Sequence, residues 1–237
     1  MSPTTIPGNL ILKNEMVEAE PFFNNVSLLL HGDGANGSTT IVDSSPSPKT
    51  VTAFGDAQIS TAQSKFGGAS LLFDGTGDYL DINSNSAFGY GLNDFTIECW
   101  IYRNVSAAAQ VILDQRAAAN PSVVPTLWIN ANTLLYYANG LNRITGGVVS
   151  AGQWVHIALS RSGTSTRLFI DGLQTGSTFS DTFNYIASPV RIGDGNDGIS
   201  PTTSLNGYID DLRITKGIAR YTANFTPPTA PFPEVLG

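Results

Sequence analysis

The chain has 237 residues, of which 41% are hydrophobic and 10% aromatic, enough apolar surface for one large packed core. Only 13% are charged, and 12 basic residues against 19 acidic ones disfavour both a nucleic-acid binder, which must neutralise phosphates, and a polybasic membrane-surface protein. The single cysteine, Cys99, excludes an internal disulfide framework, and the two histidines, His31 and His156, disfavour a multi-histidine metal site.

Residues 1–25 differ in pattern from the rest of the chain. They contain no basic run, and their longest apolar run is three residues, so they predict neither a signal peptide nor a membrane span. They hold three prolines and no regular alternation, and we therefore expect an extended N-terminal arm. Its unpatterned apolar groups suit docking on a partner or on another copy of the chain.

From residue 26 onward, short alternating or wholly apolar runs recur between Gly, Pro, Asn and Asp. This pattern predicts an all-β fold, a two-sheet antiparallel sandwich with little helix, any helical turn lying near residues 217–221. Thirteen strands are too many for an immunoglobulin-type sandwich of about seven to nine. They are predicted at 26–31, 50–54, 70–73, 79–82, 95–103, 110–115, 126–129, 133–137, 154–160, 166–170, 174–177, 190–192 and 207–214.

Three turns are predicted to close hairpins. Two are glycine-bearing loops, 74–78 and 161–165, and the third is the pair Asp171-Gly172. The pair is typical of a type I′ turn, in which both central residues have positive φ.

Alternation along the strand 95–103 assigns its side chains to two faces. The odd positions, Cys99 among them, are expected in the core, and Cys99 is interpreted as a small core hydrophobe. The even positions are expected on the opposite, partly wet face. Two of these, Trp100 and Tyr102, are candidate ligand-binding residues, with sheet packing as the alternative.

The segment 221–233 contains four prolines and cannot continue a β-ladder. We expect it to lie as a strap against the sandwich, anchored by Tyr221, Phe225 and Phe232. Because no linker separates two self-sufficient cores, the predicted organisation is an arm, 1–25, followed by one domain, 26–233.

Five segments in order, 27–40, 66–82, 95–102, 154–172 and 205–228, resemble the concanavalin A-like jelly roll, in its laminin-G-like and pentraxin-like branch. The resemblance covers about residues 26–230 and implies the jelly-roll form of the sandwich. The closing run RITKGIARYTANFTPPTAPFP is similar to versions of this domain in tailed-phage virion proteins.

The same fold hosts retaining glycosidases, which need two carboxylates about 5–5.5 Å apart. The family's hydrolases carry a Glu-x-Asp-x-x-Glu strand, which this sequence lacks. Asp210 and Asp211 are adjacent and are expected on opposite faces of a regular strand. Glu98 has no acidic neighbour two positions away. We therefore expect a protein that is not an enzyme.

A calcium site is predicted after the strand 190–192. Asp194, Asn196 and Asp197 offer the oxygen ligands that Ca²⁺ prefers. In pentraxin-like relatives the matching loop supplies calcium carboxylates, and the resemblance adds Asp114 or Asn120 as partners. The alternative is a solvated turn.

The expected function is that of a non-enzymatic phage virion surface protein, either a capsid decoration protein or a tail-associated adhesin. It would assemble in the host cytoplasm, bind virion structural proteins or its own copies as a homo-oligomer such as a trimer, and bind host-surface glycans, but no nucleic acid or membrane. Two alternatives stay open: a calcium-dependent carbohydrate-binding lectin module of a bacterial protein, and a glycoside hydrolase.

Overall fold

The structure, a computed structural model, describes residues 20–106, 109–116, 123–195 and 204–235. Its helical elements in these ranges are two 3₁₀ turns, Phe23–Asn25 and Ser86–Phe88. The expected position of a helical turn, 217–221, was wrong, because the chain runs irregularly there over a sheet. None of the described residues forms a helix long and apolar enough to cross a membrane.

Fifteen strands within the described ranges form the sandwich. They are β1 (Val26–Leu30), β2 (Thr52–Phe54), β3 (Gln58–Ser60), β4 (Ser70–Asp74), β5 (Tyr79–Asn85), β6 (Phe95–Arg103), β7 (Ala109–Asp114), β8 (Thr126–Asn130), β9 (Thr133–Ala138), β10 (Leu141–Val148), β11 (Trp154–Ser162), β12 (Ser165–Ile170), β13 (Leu173–Ser180), β14 (Ser188–Ile192) and β15 (Asn206–Lys216).

The strands pair into two antiparallel sheets, so the predicted all-β, two-sheet architecture is confirmed. The eight-stranded sheet has the order β13-β12-β11-β6-β15-β4-β3, with β1 also paired to β15. The seven-stranded sheet has the order β10-β9-β8-β7-β14-β5-β2. All thirteen predicted strands are present, and β3 and β10 are additional.

The core lies between the two sheets and is built from alternate strand positions. Phe73 and Ile97 of the eight-stranded sheet and Ile112 and Tyr136 of the seven-stranded sheet are at most 2% exposed. Cys99 belongs to this core as predicted, and burial raises the pKa of its thiol.

One of the three predicted hairpins was wrong. The loop 74–78 connects β4 of one sheet to β5 of the other. The carboxylate of Asp78 accepts the backbone N–H groups of Asp74 at 2.8 Å and Asp56 at 2.5 Å, which holds the chain as it crosses. The other two hairpins are confirmed, and Asp171 and Gly172 have the positive φ values of a type I′ turn, 48° and 76°.

Candidate functional site

The face of the eight-stranded sheet that points away from the core carries three aromatic side chains in a line. Tyr102 of β6 is the cross-strand partner of Trp154 of β11 on one side and of Tyr208 of β15 on the other. The ring centroids are 5.6 and 6.0 Å apart, and neighbouring rings meet edge to face. Directly paired residues project from the same side of a sheet. We call Trp154, Tyr102 and Tyr208 the aromatic row.

Part of the aromatic row reaches the surface. Trp154 and Tyr102 are half-buried, and Tyr208 is 9% exposed. On the same face, one step further along the strands, the side-chain amide of Asn104 donates to the side-chain oxygen of Asn206 at 2.9 Å. The row therefore presents fixed aromatic surface with amide groups at its border.

Sequence reasoning missed two of these three residues. Tyr102 was a candidate, but neither Trp154 nor Tyr208 was. Only the pairing of β6 with both β11 and β15 places them beside Tyr102. A period of two along each strand predicts which face a side chain takes, but not its neighbours across the sheet.

Much of the remaining outer face is covered by residues 217–235, which we call the strap. The rings of Tyr221 and Phe225 stack at 3.5 Å, and Phe225 donates its backbone N–H to the carbonyl of Gly172 at 2.9 Å. Phe232 is 4% exposed and packs on the outer side of β1. The predicted strap and its three anchors are therefore confirmed.

The expectation of a partly wet outer face was wrong for Thr96, Glu98 and Trp100. They are 0%, 1% and 5% exposed, because the strap and the segment before β4 pack over them. The ammonium of Lys65 lies 3.8 Å from the ring centroid of Trp100, and the indole N–H is buried without a hydrogen-bond partner. Of the two candidate aromatics, Trp100 is therefore covered and Tyr102 is accessible.

A buried ion network lies beneath the strap. Arg213 donates to Glu98 at 2.8 and 3.0 Å and to Glu20 at 2.7 Å. Arg220 of the strap donates to the same Glu20 at 3.1 Å, and the hydroxyl of Tyr221 donates to Glu98 at 2.7 Å. Burial alone would raise the pKa of Glu98, but Arg213, His156 and Arg220 together outweigh burial and hold this pKa well below its usual range.

The expectation that Asp210 and Asp211 point to opposite faces was wrong. A β-bulge between Asp210 and Arg213 adds a residue to β15, and Asp211 has a φ of 51°. Both carboxylates thus reach the outer face: Asp210 accepts the backbone N–H of Lys65 at 2.6 Å, and Asp211 accepts that of Phe232 at 2.8 Å. Burial raises the pKa of Asp210 to about 7.

The end of the strap is held at His31. Nδ1 of this imidazole lies 2.5 Å from Asp211, and Nε2 lies 3.0 Å from Glu234 of the strap. The charge of Asp33 also acts on the imidazole. Burial lowers the pKa of His31, but the hydrogen bond to Asp211 and the charges of the three carboxylates outweigh burial and raise this pKa above its ordinary value of 6.5.

Substitution of Glu234→Gln is expected to lower the pKa of His31, because it neutralises one of the facing carboxylates. A histidine whose pKa is raised by folding contributes its full stabilisation below pH 6.5, the ordinary pKa of the unfolded state. This contribution is lost as the pH rises through the pKa of the folded state. NMR titration of the imidazole measures the midpoint directly. The exposed acid Asp56, changed to Asn, is the control, and an unchanged midpoint in Glu234→Gln would contradict the assignment.

The predicted calcium ligands are only partly described. Asn120, Asn196 and Asp197 lie outside the described residues. Asp194 is 8% exposed and its Oδ1 accepts the N–H of Gly195 at 2.7 Å. Asp114 is fully buried and accepts from Arg116 and from the hydroxyl of Thr126. No group of three or more acidic, His or Cys side chains within the described ranges is arranged to hold a metal ion, and calcium stays a prediction.

Comparison with solved structures shows the same architecture at low sequence identity. Domain 4 of AbnA, a GH43 extracellular arabinanase from Geobacillus stearothermophilus, was solved with arabinotriose. It has a TM-score of 0.57 and 17% identity, over 82% of this chain and 94% of that one. The binding domain of botulinum neurotoxin serotype D/C has a TM-score of 0.62 and 15% identity, over 83% of this chain and 50% of that one.

A third similar structure is of botulinum neurotoxin type C, whose cell entry is described as dependent on interaction with two ganglioside molecules. It has a TM-score of 0.59 and 15% identity, over 83% of this chain and 49% of that one. The chain thus spans about half the length of these neurotoxin structures. No curated protein matches it in sequence. A laminin G-type family model matches residues 74–219, more than half of the chain. The chain therefore belongs to the concanavalin A-like lectin/glucanase superfamily.

Proposed function

We propose that this chain is a non-catalytic carbohydrate-binding module and that the aromatic row is its sugar platform. The observation that carries the proposal is the alignment of Trp154, Tyr102 and Tyr208 on three adjacent strands, in the part of the outer face that the strap leaves open. Aromatic rings pack against the C–H groups of a sugar. The amides of Asn104 and Asn206 can donate to and accept from its hydroxyl groups.

The carboxylates of the outer face support binding rather than hydrolysis. Glu98, Asp210 and Asp211 are each at most 1% exposed. Glu98 is held by Arg213, and the two aspartates accept backbone N–H groups. A retaining glycosidase needs two carboxylates, about 5–5.5 Å apart, that reach the substrate. Carboxylates locked beneath other segments do not meet that requirement.

The similar structures favour the same class of function. The arabinanase domain was solved with an oligosaccharide, and the type C neurotoxin structure is described by its interaction with gangliosides. At 15–17% identity these likenesses show the fold alone. They support a glycan as the class of ligand and leave the identity of the sugar to experiment.

We further propose that this module sits on a phage particle, as a capsid decoration protein or a tail-associated adhesin. The support is the resemblance of the closing run to phage virion domains, and a calcium-dependent lectin of a bacterial protein is the alternative. Residues 1–19 lie outside the described part of the chain, so their role in binding virion proteins or other copies stays a prediction. Mass spectrometry and cryo-imaging of purified particles would test the placement.

Substitution of Trp154→Ala or Tyr102→Ala is expected to weaken glycan binding at least tenfold, about 1.4 kcal/mol, because each removes ring surface from the platform. Calorimetric titration against a panel of neutral oligosaccharides measures the effect. Trp128→Ala is the matched control, since Trp128 is also half-buried but lies in the seven-stranded sheet.

Unchanged affinity in both row variants would remove the aromatic row as the site. No binding to any glycan of the panel by the unmodified chain would remove the proposed function. Repeating the titration with EDTA tests calcium, because affinity that survives chelation is independent of the metal.

A further inference from the structure

A pocket separate from the aromatic row lies between the start of β1, the end of β5 and the end of β15. We call it the lysine pocket. Its volume is about 530 Å³, within the range of small-ligand sites. Two of the four lysines of the chain, Lys49 and Lys216, line it. Among the described residues, none that lines it is acidic. The described lining thus holds two basic side chains and no acidic one, on a chain whose net charge is −7.

The ammonium of Lys49 has few partners at this pocket. Its side chain is 9% exposed, its Nζ donates to Ser45 Oγ at a long 3.3 Å, and the nearest oxygen of Asp43 is 4.0 Å away. The Asp43 carboxylate already accepts the backbone N–H groups of Leu29, Ser45 and Lys49 and the Ser45 hydroxyl. It is therefore held in place and cannot move closer to the ammonium.

An ammonium group carries three N–H donors, and the contacts of Lys49 leave most of this capacity unused. The side chain of Lys49 is largely buried, and this burial lowers the pKa of its ammonium group. An anion entering the pocket would supply the missing acceptors in a partly desolvated setting, where charge-assisted hydrogen bonds are strong.

Lys216 and neutral polar groups complete the lining. Nζ of Lys216 donates to the carbonyl of Ser86 at 2.8 Å, and its own backbone carbonyl accepts from the Asn25 side chain at 3.0 Å. Hydroxyl and amide groups of Ser27, Ser47 and Asn85 line the same pocket. Such groups can both donate and accept, as the hydroxyl groups of a sugar ring require.

We infer that this pocket binds an acidic sugar, with Lys49 and Lys216 at its carboxylate and the amide and hydroxyl groups at its ring. A bare anion would use the lysines but little of the remaining volume and lining. The inference goes beyond the proposed function, since it concerns an anionic ligand at a separate pocket. It can hold or fail independently of the aromatic row.

The test is an NMR titration of ¹⁵N-labelled protein with three probes: methyl glucuronide, methyl glucoside and acetate. The first two differ only in the carboxylate, and acetate supplies a carboxylate without the ring. We expect methyl glucuronide to shift the amide signals around Asn25, Ser86 and Gly217, with at least tenfold tighter binding than either other probe. Added salt should weaken this binding, because the lysine charges are screened.

Lys49→Met and Lys216→Met are each expected to weaken methyl glucuronide binding at least tenfold. Methionine keeps an apolar stem in place of each lysine, and Lys216→Met serves as the second variant should the buried position 49 not tolerate change. Lys65→Met is the control, since it removes the same charge away from the pocket. Equal binding of methyl glucoside or acetate, or full binding by both pocket variants, would overturn the inference.

The two proposals are distinguished by testing each site's variant for binding of the other site's ligand. Trp154→Ala should leave methyl glucuronide binding unchanged, and Lys216→Met should leave neutral-oligosaccharide binding unchanged. Loss of methyl glucuronide binding in Trp154→Ala would contradict a separate acidic-sugar site. Absence of neutral-glycan binding alone would contradict the proposed function and leave the acidic-sugar site standing.

Discussion

Substitution of Arg213→Met is expected to lower the free energy of unfolding by about 3–5 kcal/mol, because it leaves the buried carboxylate of Glu98 without its closest cationic partner. Glu98 is 1% exposed and receives two hydrogen bonds from Arg213. The same change removes the 2.7 Å contact of Arg213 with Glu20, the carboxylate that also binds Arg220 of the strap, and so weakens the attachment of the strap. Urea unfolding followed by tryptophan fluorescence measures the loss.

Arg191→Met is the matched control for this experiment. Arg191 also forms a two-point pair, with Asp81 at 2.8 Å for both contacts, but the two side chains are 18% and 30% exposed. Solvent screens such a partly exposed pair, and fully exposed pairs are typically worth about 0–1 kcal/mol, so a smaller loss than for Arg213→Met is expected. If Arg213→Met costs no more than Arg191→Met, the buried network does not hold the strap as described.

Substitution of Asp210→Asn is expected to stabilise the protein at pH 8 and to reduce its dependence on pH. The pKa of Asp210 is raised by burial from 3.8 to about 7, so the folded state binds the proton more tightly than the unfolded state. Stability from this group is therefore fully present below about pH 4, falls as pH rises toward 7, and stays low above it. An amide at position 210 can still accept the N–H of Lys65 and carries no charge to bury.

The gain at pH 8 is expected to be on the order of 2 kcal/mol, with about 4 kcal/mol as the ceiling set by the pKa shift. Urea unfolding at pH 5 and pH 8 gives both stabilities, and Asp56→Asn, an exposed acid, is the control. If Asp210→Asn is less stable than the parent at both pH values, the carboxylate is needed as an ion and the assignment is wrong.

The strands were predictable wherever apolar and polar residues alternate, but β10 was not. It contains Gly146 and Gly147, which give little signal for a strand. A Cβ atom on Gly146 would lie 3.0 Å from the carbonyl oxygen of Leu134 and 2.9 Å from the side chain of Thr175. Gly146 leaves room for β9 and β13 to approach β10 closely. The approach of β13, which belongs to the other sheet, exists only after the two sheets have packed.

The paired acids on β15 show a second limit of sequence reasoning. In a regular strand, adjacent residues such as Asp210 and Asp211 point to opposite faces of the sheet. The extra residue at the bulge in β15 brings both carboxylates to the outer face instead. The positive φ of Asp211 belongs to this bulge, and aspartate tolerates it better than most residues. Neither the position of the bulge nor the contact with the strap at Phe232 is encoded in the neighbouring residues.

The amino-acid sequence by itself determined the all-β class, the core positions of β6 and the existence of a proline-rich strap, because alternation and proline geometry act over a few neighbouring residues. The aromatic row, the ion network at Glu98 and the lysine pocket arise instead from pairing and packing between segments far apart in the chain. Register between distant strands depends on burial of the whole sheet, so the groups that share a surface are assigned only when the sandwich has formed.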